Sequence, residues 1–390
     1  MTSARSISRI RLRRIKLPLR QLYVSAMYIM DAAQRTLIEI ETADGCVGLG
    51  ETLGTEEVFA LAAGLAQGLL GRDPLDRIGF RRRFAGSVFE NRNGRNGWSA
   101  FAGLELALWD WAGRAFALPL AALLGDPTRS RIEVVCPLPA LILEKPVERR
   151  ALAALFGDRG RIADIVAWAA AQRARYGFSC FKYKSAAVSG AWDVAVMTAL
   201  REALGPEMRL RWDPNAGYAP AEATAIAAQM EGLGLEFYED PTDGPDGLAR
   251  LRANVATPVA TNMCVVQSDQ LPYAISRGVT DVVLADLYMW GGIENYLALA
   301  ATAAAHGIEL AVHSLFETGV GTAANLHLAA GLAQIGRPND CGLNWLADDA
   351  VVEPMPIIDG RLGVPTGPGL GVSLDAERIQ AMTIALREIA

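Results

Sequence analysis

The chain has 390 residues, 51% hydrophobic and 21% charged, with a formal net charge of −6. Such a chain folds around a sizeable core, is long enough for two domains or for one barrel with an additional module, and is too acidic to suggest a nucleic-acid partner. No apolar signal region follows the basic N-terminal stretch and no uninterrupted apolar run reaches the length of a membrane span, so a cytoplasmic protein without a membrane partner is expected.

In chain order, Arg5, Arg9, Arg11, Arg13, Arg14, Lys16 and Arg20 interleave with Ile7, Ile10, Leu12, Ile15, Leu17 and Leu19. This alternation predicts a strand with a solvated basic face. Residues 36–42 and 46–50 read as further strands joined by a turn at Ala43-Asp44-Gly45, which makes a meander. The period turns helical over 55–70 and 99–124, where Leu104, Leu106, Leu108, Trp109, Ala112 and Phe116 form an apolar stripe. Between those helices, 86–98 is rich in Asn, Arg and Gly and is expected to be a mobile loop. Residues 1–131 therefore read as an α+β capping domain. The five cysteines, Cys46, Cys136, Cys180, Cys264 and Cys341, are scattered without CxxC spacing, as reduced thiols would be.

From 132 to 354 short apolar runs alternate with amphipathic helices, the pattern of parallel βα units. Candidate strands begin near Ile132, Phe178, Arg209, Glu236, Pro258, Asp281, Glu309 and Cys341, and candidate helices span 162–176, 192–204, 221–233, 267–277, 293–306 and 322–335. Eight strands with helices between nearly all of them predict a (β/α)8 barrel, whose catalytic residues lie at the C-terminal strand ends. Residues 355–390, ending in a short helix, are expected to return and pack on the capping domain.

Lys182 and Lys184, at i and i+2 in an apolar strand, share one face. Crowding and partial burial would push one ammonium toward the neutral form, able to take a proton, while the other stays charged to hold an anion. Lys184 closes the second predicted strand, Asp213 the third, Glu239 the fourth, Asn262 the fifth, Asp286 the sixth and His313 the seventh. Successive members lie 29, 26, 23, 24 and 27 residues apart, each about one βα unit, so a barrel brings all six to one mouth. Asp213, Glu239 and Asn262 offer three oxygen donors on consecutive strands, which suits Mg²⁺ better than zinc. Asp286 can fix the imidazole of His313 as a dyad. His306 and His327 read as structural. A metal that chelates a substrate carboxylate stabilises the enediolate left when the α-proton is removed, with Lys184 on one side and His313 on the other.

Lys182-Tyr183-Lys184, Asp213-Pro214-Asn215, Glu239-Asp240-Pro241, Asp286 and His313, with the run 103–125 that would close a capping domain, resemble the enolase superfamily over nearly the whole chain. The segment Pro258-Val259-Ala260-Thr261-Asn262-Met263 is similar to the glucarate dehydratase-like subgroup, where Asn is the third metal ligand. The resemblance implies a Mg²⁺-dependent dehydratase of acid sugars, in which Lys184 is a base, Lys182 neutralises the bound carboxylate, the Asp286/His313 dyad acts on the other face and Asn215 touches substrate. It also implies a small-molecule carboxylate as partner, and a homo-oligomer. After the histidine, Ser314-Leu315-Phe316-Glu317 looks more like the mandelate racemase arrangement, where a Glu hydrogen-bonds the substrate carboxylate, and Glu317 is carried over on that basis. With Asn262 in place of a third carboxylate the site is less negative, which favours a substrate with two carboxylates; Arg92 or Arg95 would then have to meet the distal one. A racemase or epimerase of a sugar or 2-hydroxy acid would use the same two bases, a Lys/Lys cycloisomerase fits less well because of Asp286, and a sugar-acid-binding barrel is the non-enzyme alternative.

Overall fold

The structure, a computed structural model, describes residues 5–390 apart from 126 and 315. Strands β1 (Ile7–Val24), β2 (Ile29–Thr42) and β3 (Val47–Leu53) form an antiparallel meander, and the chain's last strand, Thr383–Ile389, joins it along the free edge of β1. Ile10 and Leu12 are fully buried on one face. On the other, the expected basic row meets carboxylates across the strands: Arg11 reaches Glu39 at 3.3 Å and Glu388 at 3.2 Å.

The buried face packs on a long helix, Val88–Ala115. Backbone meets backbone there. A Cβ on Gly48 or Gly50 would collide with the carbonyl oxygens of Ala107 and Gly103, so glycine is needed for close approach rather than for a turn.

Two expectations fail in this region. Residues 86–98, expected as a mobile loop, mostly form the first turns of that helix; Ser87 Oγ accepts the Glu90 N–H at 3.2 Å, and the helix bends at Gly94, whose φ is 49°. The cap supplied what the polar composition concealed. The chain also ends in a strand rather than a helix: Ala376–Met382 is helical, but Ile389 then pairs with Ile10. Its Thr-Ile-Ala-Leu-Arg-Glu-Ile run alternates as well as it spirals, and the unpaired edge of β1 decided the outcome.

Eight parallel strands follow: β4 (Arg131–Leu138), β5 (Cys180–Lys184), β6 (Arg209–Asp213), β7 (Phe237–Glu239), β8 (Val259–Thr261), β9 (Val282–Ala285), β10 (Glu309–Val312) and β11 (Asn339–Asp340). They form a nearly closed barrel, with β11 pairing β4 and a bridge from Leu310 to Ile335 drawing the other edge in. The six anticipated helices are present, joined by Arg149–Leu155 and Pro245–Arg252, which the periodicity did not single out. The eighth strand begins earlier than the expected Cys341. Inside, Phe237, Ala260, Val282, Leu284 and Ala311 form one buried cluster. Beside it, fully buried Arg211 stacks 4.4 Å from the Phe237 ring centre and donates to Glu236 at 2.6 Å.

Several hydrogen bonds tie the antiparallel module to the barrel. Ala26 N–H donates to the Ser185 carbonyl at 2.8 Å and Ala140 N–H to Val24 at 2.7 Å, which docks the β1–β2 tip. Glu51 accepts from the backbone N–H groups of Thr318 and Gly321 at 3.1 and 2.8 Å. Glu105 accepts from Ile293 and Glu294 at 2.9 and 3.1 Å, at the start of the helix Ile293–Ala305. Among the described residues no helix is long and apolar enough to cross a membrane. All five cysteines are free.

Candidate active site

Alternation along each barrel strand points every second side chain inward. Lys182 and Lys184 therefore share the interior with Asp213, Glu239, Asn262, Asp286 and His313, all buried. Lys182 Nζ donates to Glu239 Oε1 and Oε2 at 3.1 and 3.0 Å and lies 3.7 Å from Asp213. Lys184 Nζ is paired with Asp213 Oδ2, and Asn262 Nδ2 donates to Glu239 Oε1. Asp213 Oδ1 accepts the Asn215 N–H at 2.9 Å, and Asn215 itself, at φ 50°, faces the same cavity. The Asp240 of the Glu-Asp-Pro turn is a support: it accepts the backbone N–H of Asn262 at 2.7 Å and so fixes that residue's place.

The dyad is assembled. His313 Nδ1 lies 3.2 Å from Asp286 Oδ2, while Asp286 Oδ1 accepts the N–H groups of Tyr288 and Met289 at 2.8 and 2.9 Å. This holds the carboxylate still and leaves the other imidazole nitrogen for the cavity. Burial works against the imidazolium, but Asp286 outweighs it and holds His313 above its ordinary range. His327, read as structural, accepts the Ala121 N–H at 3.2 Å and bonds the Leu370 carbonyl at 3.2 Å, well away from this cluster.

Three expectations are revised. Neither lysine is pushed toward neutrality: burial opposes the charge, but Asp340 and Glu239 around Lys182, and Asp213 and Glu239 around Lys184, raise both above the ordinary lysine value. Glu317 does not line the cavity. Phe316 turns at φ 59° and the wall is Ser314 and Phe316, while Glu317 lies behind, 1% exposed, where it takes the Ser314 hydroxyl. Leu315 of that run lies outside the described residues. Finally, Asp340 joins the cluster without having been singled out. It pairs with Lys182 Nζ and lies 3.4 Å from Arg211 Nη1. Its position, 27 residues after His313, continues the series of steps, and was passed over because the eighth strand was expected from Cys341, two residues after its start at Asn339.

The donor set suits a hard divalent cation. Burial, with Asp213 beside it, pushes Glu239 up to about 8, and a divalent cation on these oxygens would favour its charged form. Asp213, Glu239 and Asn262 supply oxygen alone. Ligand atoms of Glu239, His313 and Asp340 also come within 4.8 Å of one another, a second set that includes one nitrogen donor.

A cavity of about 130 Å³ opens above these groups. Lys182, Lys184, Asn215, Asn262, His313 and Asp340 face it at one end; Tyr23, Met27, Tyr28, Met263, Met289 and Phe316 line the rest, with Arg95 among them.

Residues 9–125 match the mandelate racemase / muconate lactonizing enzyme N-terminal domain, and 164–378 the enolase C-terminal domain-like family. A probable glucarate dehydratase of Streptomyces coelicolor is 34% identical over 366 residues, covering 88% of this chain and 83% of the relative. A D-galactarolactone cycloisomerase of Agrobacterium fabrum is 28% identical, covering 92% and 93%. The crystal structure of an enolase from Thermobispora bispora complexed with magnesium and formate superposes with a TM-score of 0.87 at 33% identity, covering 97% of this chain and 92% of that one. With both domain models matched in order, and with this relative, the chain belongs to the enolase superfamily and is glucarate dehydratase-like.

Proposed function

We propose that the protein is a Mg²⁺-dependent dehydratase of acid sugars, converting an aldonate or aldarate to a 2-keto-3-deoxy acid. The observation that carries the reading is that Lys184, from the second barrel strand, and the Asp286-supported His313, from the seventh, line one cavity around a shared cluster of oxygen donors. Mg²⁺ held by Asp213, Glu239 and Asn262 would supply charge stabilisation at the substrate carboxylate. Lys182, at the floor, neutralises the same carboxylate. With the charge of Asp213 and Glu239 drawn to a divalent cation, Lys184 would lose the carboxylates that hold it charged and, as the free amine, take the α-proton. His313, its imidazolium form favoured by Asp286, gives a proton to the departing β-hydroxyl, and Asn215 fixes a substrate hydroxyl. The bond from carbon to hydrogen and the bond from carbon to hydroxyl break, water leaves, and the enol product tautomerises to the ketone.

The test is a panel of sugar acids with Mg²⁺, read as 2-keto acid formation, alongside Lys184→Ala. Product formation in the native enzyme and at least about 10³-fold less in the variant is expected, in line with loss of a general base. A second reading, racemisation, rests on the same pair of proton-transfer groups facing one cavity. Solvent deuterium entering the α-position with no water lost would establish it and sink dehydration.

A further inference from the structure

The cavity is divided by chemistry. Its floor is charged; its cap side is thioether and aromatic. Met27 and Tyr28 come from the β1–β2 tip, Met263 follows Asn262, Met289 follows Asp286, and Phe316 follows His313. The tip is docked, through the Ala26 to Ser185 hydrogen bond at 2.8 Å, which sets Met27 and Tyr28 at the edge of the cavity. Tyr23 braces it, edge-on to Phe316 and to Trp345 at 4.9 Å in each case.

A second carboxylate on the substrate would have to end against this wall. Away from the floor, the one cation among the described lining residues is Arg95; it is exposed at the rim, and its Nη2 is already bonded to the Met263 carbonyl at 3.1 Å. Exposed charge at a rim discriminates weakly. Burying an unpaired carboxylate against apolar groups is penalised strongly. Methionine side chains, by contrast, adapt their shape to an apolar end group.

We infer that the substrate is a monocarboxylic sugar acid whose far end is apolar, such as a methyl-terminated deoxyaldonate, and that Met27, Met289 and Phe316 select it against dicarboxylic sugars. This rests on the acid-sugar reading above and narrows it, and it runs against the diacid expected from Asn262. The apolar wall and the lack of a committed distal cation outweigh the charge of one ligand.

The experiment is calorimetric binding to the Lys184→Ala enzyme with Mg²⁺, which keeps ligands unreacted whatever the reaction is. Three matched series are titrated, six-carbon acids ending in methyl, hydroxymethyl or carboxylate, each across the C2 to C5 configurations. The methyl-ended acid is expected to bind at least about tenfold tighter than its carboxylate-ended match, the scale of a pocket reading one apolar group. Arg95→Gln in the same background should change affinity for the carboxylate-ended acid less than threefold. Equal or tighter binding of the carboxylate-ended acid, or its selective loss with Arg95→Gln, overturns the inference while leaving the acid-sugar reading intact. Binding of none of the three series overturns both.

Discussion

Glu51→Gln removes one charge from the joint between β3 and the loop that follows β10. The Glu51 carboxylate is fully buried and accepts from Arg35 Nε at 2.7 Å, Thr318 N–H at 3.1 Å, Gly321 N–H at 2.8 Å and the Thr318 hydroxyl. An amide of the same shape has one acceptor oxygen and turns its NH₂ toward a donor. Arg35, 1% exposed and stacked 4.6 Å from the Tyr288 ring centre, then loses its hydrogen-bonded counter-charge and keeps only the weaker field of Glu317. Breaking a buried pair from one side costs about 3–5 kcal/mol, and an orphaned backbone N–H adds about 1–3 kcal/mol. Relaxation recovers part of this, so we expect a loss of roughly 4 kcal/mol. Urea unfolding of Glu51→Gln, Arg35→Met and the double variant Arg35→Met/Glu51→Leu measures it. The double variant should recover at least half the loss, because no charge is left buried alone. A cost below about 1 kcal/mol for Glu51→Gln would refute the reasoning, since that is the scale of an ordinary surface change.

Two further outcomes follow from the site and its supports. Asp340→Asn takes from Lys182 its strand-eight partner; kcat/KM should fall about 100-fold, the scale of one lost electrostatic contact in a buried site, with circular dichroism unchanged, and a fall under threefold would place Asp340 outside the chemistry. Glu105 has a carboxyl that burial pushes up from its ordinary 4.5 to about 7. Because the folded protein binds this proton more tightly, its contribution to stability is complete below about pH 4.5 and is lost as pH rises through 7, by about 3 kcal/mol. Glu105→Gln, which cannot titrate, should flatten that decline in a series of urea midpoints from pH 4.5 to 7.5, and parallel curves would contradict it.

What could be read from sequence follows from which interactions are local. Asp213, Glu239, Asn262, Asp286 and His313 could be found because each closes a strand, and the barrel converts an interval of one βα unit along the chain into proximity in space. Asp340 obeys the same interval, but its strand is two residues long and too short for periodicity to locate. Glu317 is not among the described residues that line the cavity, and spacing gives no sign of the φ of 59° at Phe316 beside it. The charge state of the lysines depends on Asp213, Glu239 and Asp340 arriving from other strands, which no pair of neighbours in the chain reveals. The final strand needed knowledge of a partner at the opposite terminus.

The glycine seam between β3 and the long helix has a consequence for how this scaffold can be altered. With Gly48 and Gly50 set directly on the backbone of Gly103 and Ala107, sheet and helix form a stiff plate that tolerates no intervening side chain. The residues at the β1–β2 tip that line the cavity, Met27 and Tyr28, project from the edge of that plate and are 47% and 42% exposed, so they carry little of its stability. Recognition and rigidity are thus assigned to separate atoms. A designer could exchange the tip as one changes the jaw of a clamp, leaving the frame and the barrel's proton-transfer groups as they stand.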